Sequence, residues 1–170
     1  LIGNSESNIH DGQEGDDEIT GNAGADELQG GAGDDTFKGS DFKDDIINGG
    51  NTDEIRGDTV DYSAVTSGIT VNLEDNGSNT DVEVGVDTTN HTIANIENIT
   101  GSNTAVDNLT GNSSVNTILG LGGDDVIDGD DGDDFLDGGA GNNTVAFTSV
   151  SSGVNVNLSS SDYTYNSETL

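Results

Sequence analysis

Glycine returns in this chain at a fixed interval. Gly3, Gly12, Gly21, Gly30 and Gly39 stand nine residues apart, and the same frame reappears as Gly111, Gly120, Gly129 and Gly138. Within it a second glycine follows three residues later (Gly15, Gly24, Gly33), then an aspartate after two more (Asp17, Asp26, Asp35). An apolar residue comes two positions beyond that (Ile19, Leu28, Phe37). In the later stretch Asp125 and Asp134 hold the acidic position, Ile127 and Leu136 the apolar one, and Asn116 and Asn143 replace the acid. A nine-residue unit with one apolar side chain cannot close a core alone, so it has to stack. The glycines allow the positive φ and close backbone approach of a tight six-residue turn. The other three residues, Glu18-Ile19-Thr20 for example, make a short strand whose middle side chain points inward. Two units complete a coil of turn, strand, turn and strand. Coils stacked at about 4.8 Å would wind the whole chain into a rod roughly 45 Å long.

Charge limits what such a rod can do. The chain has 34 Asp and Glu against 3 Lys and Arg, a formal charge of −31. Affinity for phosphates comes from basic side chains, so nucleic acid is excluded as a partner. No run approaches the roughly 20 apolar residues of a transmembrane helix. With no cysteine there is no disulfide, thiolate nucleophile or cysteine-based zinc site. Leu1 is not a translation start and no signal peptide is visible, which leads us to expect a segment of a longer chain. A compact body of this charge repels itself. With so few basic residues, only bound cations offset that repulsion.

The blocks GQEGDDEIT, GNAGADELQ, GGAGDDTFK, GLGGDDVID, GDDGDDFLD and GGAGNNTVA resemble the nonapeptides of the RTX (haemolysin-type) family, written GGxGxDxUx with U a large apolar residue. Convincing units cover residues 12–38 and 111–146. The resemblance implies an all-β parallel β-roll or β-solenoid that binds Ca²⁺, with ions held between turns stacked on the same edge. Calcium takes six to eight oxygen ligands in irregular geometry, and carbonyls exposed in Gly-rich turns suit it. Carried onto this chain, the family pattern sets Asp17 opposite Asp35, Asp26 opposite Asp44 or Asp45, Asp107 opposite Asp125, and Asp134 beside Asn116. Carbonyls would come from Gly12, Gly15, Gly24, Gly30 and Gly33 in the first tract. In the second they would come from Gly120, Gly123, Gly129, Gly132 and Gly141, with Asn143 in the acidic position of the last unit. About three to five ions are expected. Three departures count against particular sites. Residues 39–48 form a ten-residue unit with Phe42 where the second glycine belongs, Asn116 and Asn143 offer only a neutral oxygen, and the first unit, GNSESNIHD, has its apolar residue out of phase. The acids preceding the ligand position, Asp16, Asp34, Asp124 and Asp133, read as a solvated face.

Between the tracts the glycine frame lapses and apolar residues alternate. Residues 69–73 (ITVNL) and 82–86 (VEVGV) read as half-buried strands. Ile93, Ile96 and Ile99 suit a further buried edge, and Asn76-Gly77 a hairpin loop. A longer duplication relates TVDYSAVTSGITVNL (59–73) to TVAFTSVSSGVNVNL (144–158) at an offset of 85 residues. The expected organisation is therefore a first nonapeptide tract over 1–58, a strand-rich insert continuing the solenoid over 59–100, a second tract over 101–146, and the start of another insert over 147–170. Tyr62 and Phe147 occupy matching insert positions and read as packing residues. His10 and His91, far apart in sequence, read as isolated surface histidines rather than a zinc pair.

These features predict a non-enzymatic calcium-stabilised module of a type I-secreted extracellular or cell-surface protein, of the adhesin or surface-layer/filament kind. Neighbouring copies or other segments of the parent protein are its expected partners besides calcium. The alternative is an accessory or polysaccharide-binding module of a secreted RTX enzyme, although 7 aromatic and 3 basic residues leave little for a sugar groove. Ice binding would need a Thr or Asn ladder at one repeat position. The second position instead runs Gln13, Asn22, Gly31, then Asn112, Leu121, Asp130, Gly139.

Overall fold

Short strands joined by tight turns wind into a solenoid. The computed structural model describes residues 1–39, 42–75, 80–84 and 91–148. Along the first tract run β1 (Ile9–Glu14), β2 (Glu18–Ile19), β3 (Glu27–Ala32), β4 (Thr36–Lys38), β5 (Ile46–Thr52) and β6 (Thr59–Asp61). The middle supplies β7 (Ile69–Asn72), β8 (Thr80–Val84), β9 (His91–Ala94) and β10 (Asn98–Thr100). The second tract adds β11 (Asn108–Thr110), β12 (Thr117–Leu119), β13 (Val126–Asp128), β14 (Phe135–Asp137) and β15 (Thr144–Ala146). They form two sheets, one of nine strands in the order β1-β3-β5-β9-β8-β7-β11-β13-β15 and one of six in the order β14-β12-β10-β6-β4-β2. At about 4.8 Å per strand the longer sheet spans roughly 40 Å. The all-β parallel solenoid read from the nonapeptides is the fold observed.

Each coil contributes one strand to each sheet, and the inward residue at each strand centre builds the core. Ile19, Phe37, Val60, Ile99 and Ile118 line the shorter sheet, and Leu28, Ile47, Ile93, Val71, Leu109 and Ile127 the longer one, all within 1% of full burial. The register keeps them stacked: Leu28 pairs with Ile47, Ile47 with Ile93, Val60 with Ile99 and Ile99 with Ile118. A slip of one residue would turn this whole row outward.

The insert departs from simple winding at one strand. β8 runs antiparallel to both β7 and β9, while all other pairings are parallel. The cause is connection length. Only residues 73–79 join β7 to β8, enough for a hairpin but too few for a parallel crossover. β6 and β10 meanwhile continue the other sheet without interruption. Ile69, Val71, Leu73 and Val82 are buried as their alternation predicts, and so are Ile93, Ile96 and Ile99. The Asn76-Gly77 loop, residues 85–86 and the second insert copy beyond Thr148 lie outside the described residues.

An aromatic cluster sits where β5 and β6 hand over to this meander. Phe42 packs edge-on to Tyr62 at 5.1 Å and stacks on His91 at 5.2 Å. The Tyr62 hydroxyl meets His91 Nε2 at 2.8 Å. His91 is 1% exposed, not the surface histidine the sequence suggested, and burial holds its pKa down at about 4. Phe42, in the position of a missing turn glycine, is thereby a core residue. Tyr62 packs, as read from the sequence.

Turn geometry explains the glycines. Where glycine fills the fourth position of a unit, that position is left-handed: Gly15, Gly24, Gly33, Gly123, Gly132 and Gly141 have φ between 98° and 146°. At Gly123 a Cβ would also collide with the carbonyl of Ala105 in the preceding coil. The second position is left-handed in several units even without glycine. Gln13, Asn22, Leu121 and Asp130 have φ of 77°, 68°, 69° and 63°. Of these, Leu121 tolerates that conformation worst. Leu121→Asn should therefore stabilise the calcium-loaded protein by about 1 kcal/mol in urea unfolding. Ile118→Ala, which empties part of a coil core, should cost about 2–5 kcal/mol in the same measurement.

Candidate metal centre

The acidic residues of the repeat stack into two columns along the edges of the solenoid. On one edge the Asp17 amide donates to Asp35 Oδ1 at 2.8 Å, the Asp35 amide to Asp58 Oδ1 at 2.7 Å, and the Asp58 amide to Glu97 Oε2 at 2.9 Å. The column resumes where the Asn116 amide donates to Asp134 Oδ1 at 2.9 Å. On the other edge the Asn8 amide donates to Asp26 Oδ1 and the Asp26 amide to Asp45 Oδ1, both at 2.8 Å. Further along, the Asp107 amide donates to Asp125 Oδ1 and the Asp125 amide to Asn143 Oδ1, both at 2.9 Å. Every pairing set out from the sequence is thus a contact between stacked rungs. Asp45, rather than Asp44, takes the rung; Asp44 is exposed, with a φ of 62°.

One carboxylate oxygen of each rung is spent on the neighbouring amide, and the other turns into the turn. Oδ2 of Asp26, Asp35, Asp58 and Asp125 is buried with no hydrogen-bond partner. Beside Asp35, Asp58 and Asp125 a turn carbonyl of the next coil approaches the same glycine as Oδ2. A Cβ on Gly30 would run into both Asp35 Oδ2 and the Gly49 carbonyl; one on Gly12 would lie 2.7 Å from Asp17 Oδ2 and 2.5 Å from the Gly30 carbonyl. Gly120 stands in the same relation to Asp125 Oδ2 (2.5 Å) and the Gly138 carbonyl (2.9 Å). Gly129 and Gly132 likewise abut the Asp134 carboxylate. Oxygen facing oxygen in a buried turn is unfavourable without a positive charge between.

The asparagine rungs show what those carbonyls accept. Asn116 Nδ2 donates to the Glu97 carbonyl at 2.7 Å and to Asn112 Oδ1 at 3.1 Å, and Asn143 Nδ2 donates to the Gly139 carbonyl at 3.3 Å. An amide brings its own donors to the turn, whereas a carboxylate brings none. Asp107 is a third case: Ser102 donates to it from both amide (2.7 Å) and hydroxyl (3.0 Å).

Burial drives the titration of the rungs. It raises the pKa of Asp35, Asp107, Asp125, Asp134 and Glu97 above the usual carboxylate range. Asp58 is pushed to about 8, first by burial and then by the charges of Glu54, Asp35 and Glu97, against the opposing hydrogen bond from the Asp35 amide.

Several rung residues escape a search for the glycine frame. Asn8 follows Gly3 by the usual five positions, with His10 in the slot that pairs with Leu28, so the first unit holds a place in the column. Asp58 and Glu97 have no phased glycine, yet each stands two residues before a core residue, Val60 or Ile99, as Asp17 stands before Ile19. That acid-x-apolar spacing was the available signal. The preceding acids also do more than face solvent. Asp16 Oδ1 accepts the Asp34 amide (3.0 Å), Asp124 Oδ1 the Asn142 amide (2.8 Å), and Asp34 Oδ1 the amides of Ile55, Arg56 and Gly57 at 2.8–3.1 Å. Those backbone bonds hold the Asp34 pKa down.

A parallel solenoid with buried carboxylates stacked in columns along its turns has the architecture of a β-roll. Its repeats are RTX calcium-binding nonapeptide repeats, for which the family model matches 4 copies over residues 11–46 and 110–145. No curated protein matches the chain. Among the described residues no helix is long and apolar enough to cross a membrane.

A group whose folded-state pKa is raised supports the fold when protonated and opposes it when ionised. For these rungs the support is complete below about pH 4 and vanishes as pH rises through the folded values, about 8 for Asp58. In excess chelator, circular dichroism should therefore show β structure growing as pH falls from 8 towards 5. Asp125→Asn, carrying its own donor, should move that transition to higher pH. A transition that stays in place would sever the link to the rung.

Proposed function

We propose that this chain is a calcium-binding β-roll segment of a type I-secreted bacterial protein of the adhesin or surface-layer/filament kind, acting structurally and folding when it meets calcium outside the cell. The observation that carries this reading is the set of buried, partnerless Asp Oδ2 atoms facing turn carbonyls. Three to five ions are proposed in the turns of the two tracts. Ligands would be Asp17, Asp26, Asp35, Asp45, Asp125 and Asp134 with the carbonyls of their glycines, and Asn116 and Asn143 would mark weaker positions.

A formal charge of −31 and the low calcium of a bacterial cytosol together favour an expanded chain before export. Millimolar calcium would then add its binding free energy to folding, since ligands that bind only the folded state stabilise it. The test is circular dichroism at pH 7.5. The chain should give a disordered spectrum in excess chelator and a β-rich one in millimolar calcium, reversibly. A β-rich spectrum that persists in chelator contradicts the proposal.

A further inference from the structure

The turn between β5 and β6, residues 53–58, brings together carboxylates that no nonapeptide supplies. Glu54, Asp58 and Glu97 each place one carboxylate oxygen within 4.8 Å of the other two. Glu97 arrives from the far side of the β7–β9 meander, where its Oε2 accepts the Asp58 amide at 2.9 Å. The approach depends on Gly57, whose φ is 80° and whose α-carbon lies against the Glu97 side chain, 2.7 Å from Oε2 to an added Cβ. Three carboxylates this close repel one another unless something positive lies among them.

Asp58 supplies a second, independent observation. Its side chain is fully buried, and with Oδ1 taken by the Asp35 amide, Oδ2 has no hydrogen-bond partner. That oxygen lies against the α-carbon of Gly49 beside the Asn95 carbonyl, since a Cβ on Gly49 would strike both. The arrangement repeats that of Asp35 Oδ2 and the Gly49 carbonyl at Gly30, one coil earlier. Here the second carbonyl and two further carboxylates come from residues outside the repeat.

We propose that Glu54, Asp58 and Glu97, with the Asn95 carbonyl, bind one calcium ion that fastens the last turn of the first tract to the strand-rich insert. The donor set is oxygen only and rich in carboxylate, which suits a hard cation tolerant of irregular coordination. Asp58 and Glu97 are 39 residues apart, so the ion would close a long chain loop and tie the hairpin-bearing insert into the stack. The site rests on the reading of the edge columns as calcium-bearing, but its ligands are separable from those of the repeats.

The experiment uses the 170-residue chain and calcium alone, with bound ions per chain counted by equilibrium dialysis and elemental analysis, and affinities measured by calorimetry. Glu54→Gln and the double variant Glu54→Gln/Glu97→Gln are compared with Asp125→Asn, a repeat-rung variant. One binding event should weaken by at least about tenfold in Glu54→Gln and disappear in the double variant, with the remaining events unchanged. Asp125→Asn should affect a different event. Glu54 is only partly buried in its turn, so the single variant reads the site even if the double variant fails to fold. Unchanged ion number and affinity in Glu54→Gln, alongside a loss in Asp125→Asn, would overturn this site and leave the repeat sites standing. No calcium bound by the unmodified chain would overturn both.

Discussion

A buried carboxylate oxygen with no hydrogen-bond partner is the feature around which this molecule is organised. Asp26, Asp35, Asp58 and Asp125 each offer one such atom, because the partner oxygen is committed to the amide of the adjacent coil. The backbone hydrogen bonds of parallel strands and the single apolar residue per strand are enough to shape a coil, but they do not satisfy that oxygen. A proton or a bound cation does. The chain brings only 3 basic side chains against 34 acidic ones, and one of them, Lys38, is already paired with Glu18 at 2.6 Å on the surface.

The asparagine rungs show the same constraint answered in another way. Asn116 and Asn143 place an amide where aspartate places an oxygen, and the turn carbonyls accept its hydrogens. The columns thus contain both amide rungs that bring their own donors and carboxylate rungs that bring none. Asp107 with Ser102 lies between these extremes. The unpartnered carboxylates lie in both tracts, at Asp26, Asp35 and Asp58 and again at Asp125, whereas the amide rungs Asn116 and Asn143 belong to the second.

The coil itself was legible because its signals are local and repeated. A glycine that must be left-handed, an acid and an apolar residue at fixed spacing define each rung, and the two sheets follow from stacking. Asp17, Asp35, Asp107 and Asp125 meet the partners that spacing assigns them. What escaped notice depends on contacts distant in sequence. Asp58 and Glu97 lack phased glycines, and only the core residue two places on marks their register. His91 looks like an isolated polar residue until β9 folds it against Phe42 and Tyr62. The antiparallel turn of β8 likewise depends on which strands the meander reaches. Of the outer acids Asp16 and Asp124 are exposed as expected and Asp34 is half-buried, but each accepts amide hydrogens of the next coil, a role only the stack creates.

A crystal structure of the chain grown in calcium, with anomalous scattering to identify the metal, would probe the organising claim at atomic level. The account predicts calcium peaks 2.3–2.6 Å from Asp35 Oδ2 and Asp125 Oδ2, completed by the neighbouring turn carbonyls, and none at the amide of Asn116. Ordered rungs whose Asp Oδ2 atoms contact only water or protein donors, with no metal in the turns, would contradict it.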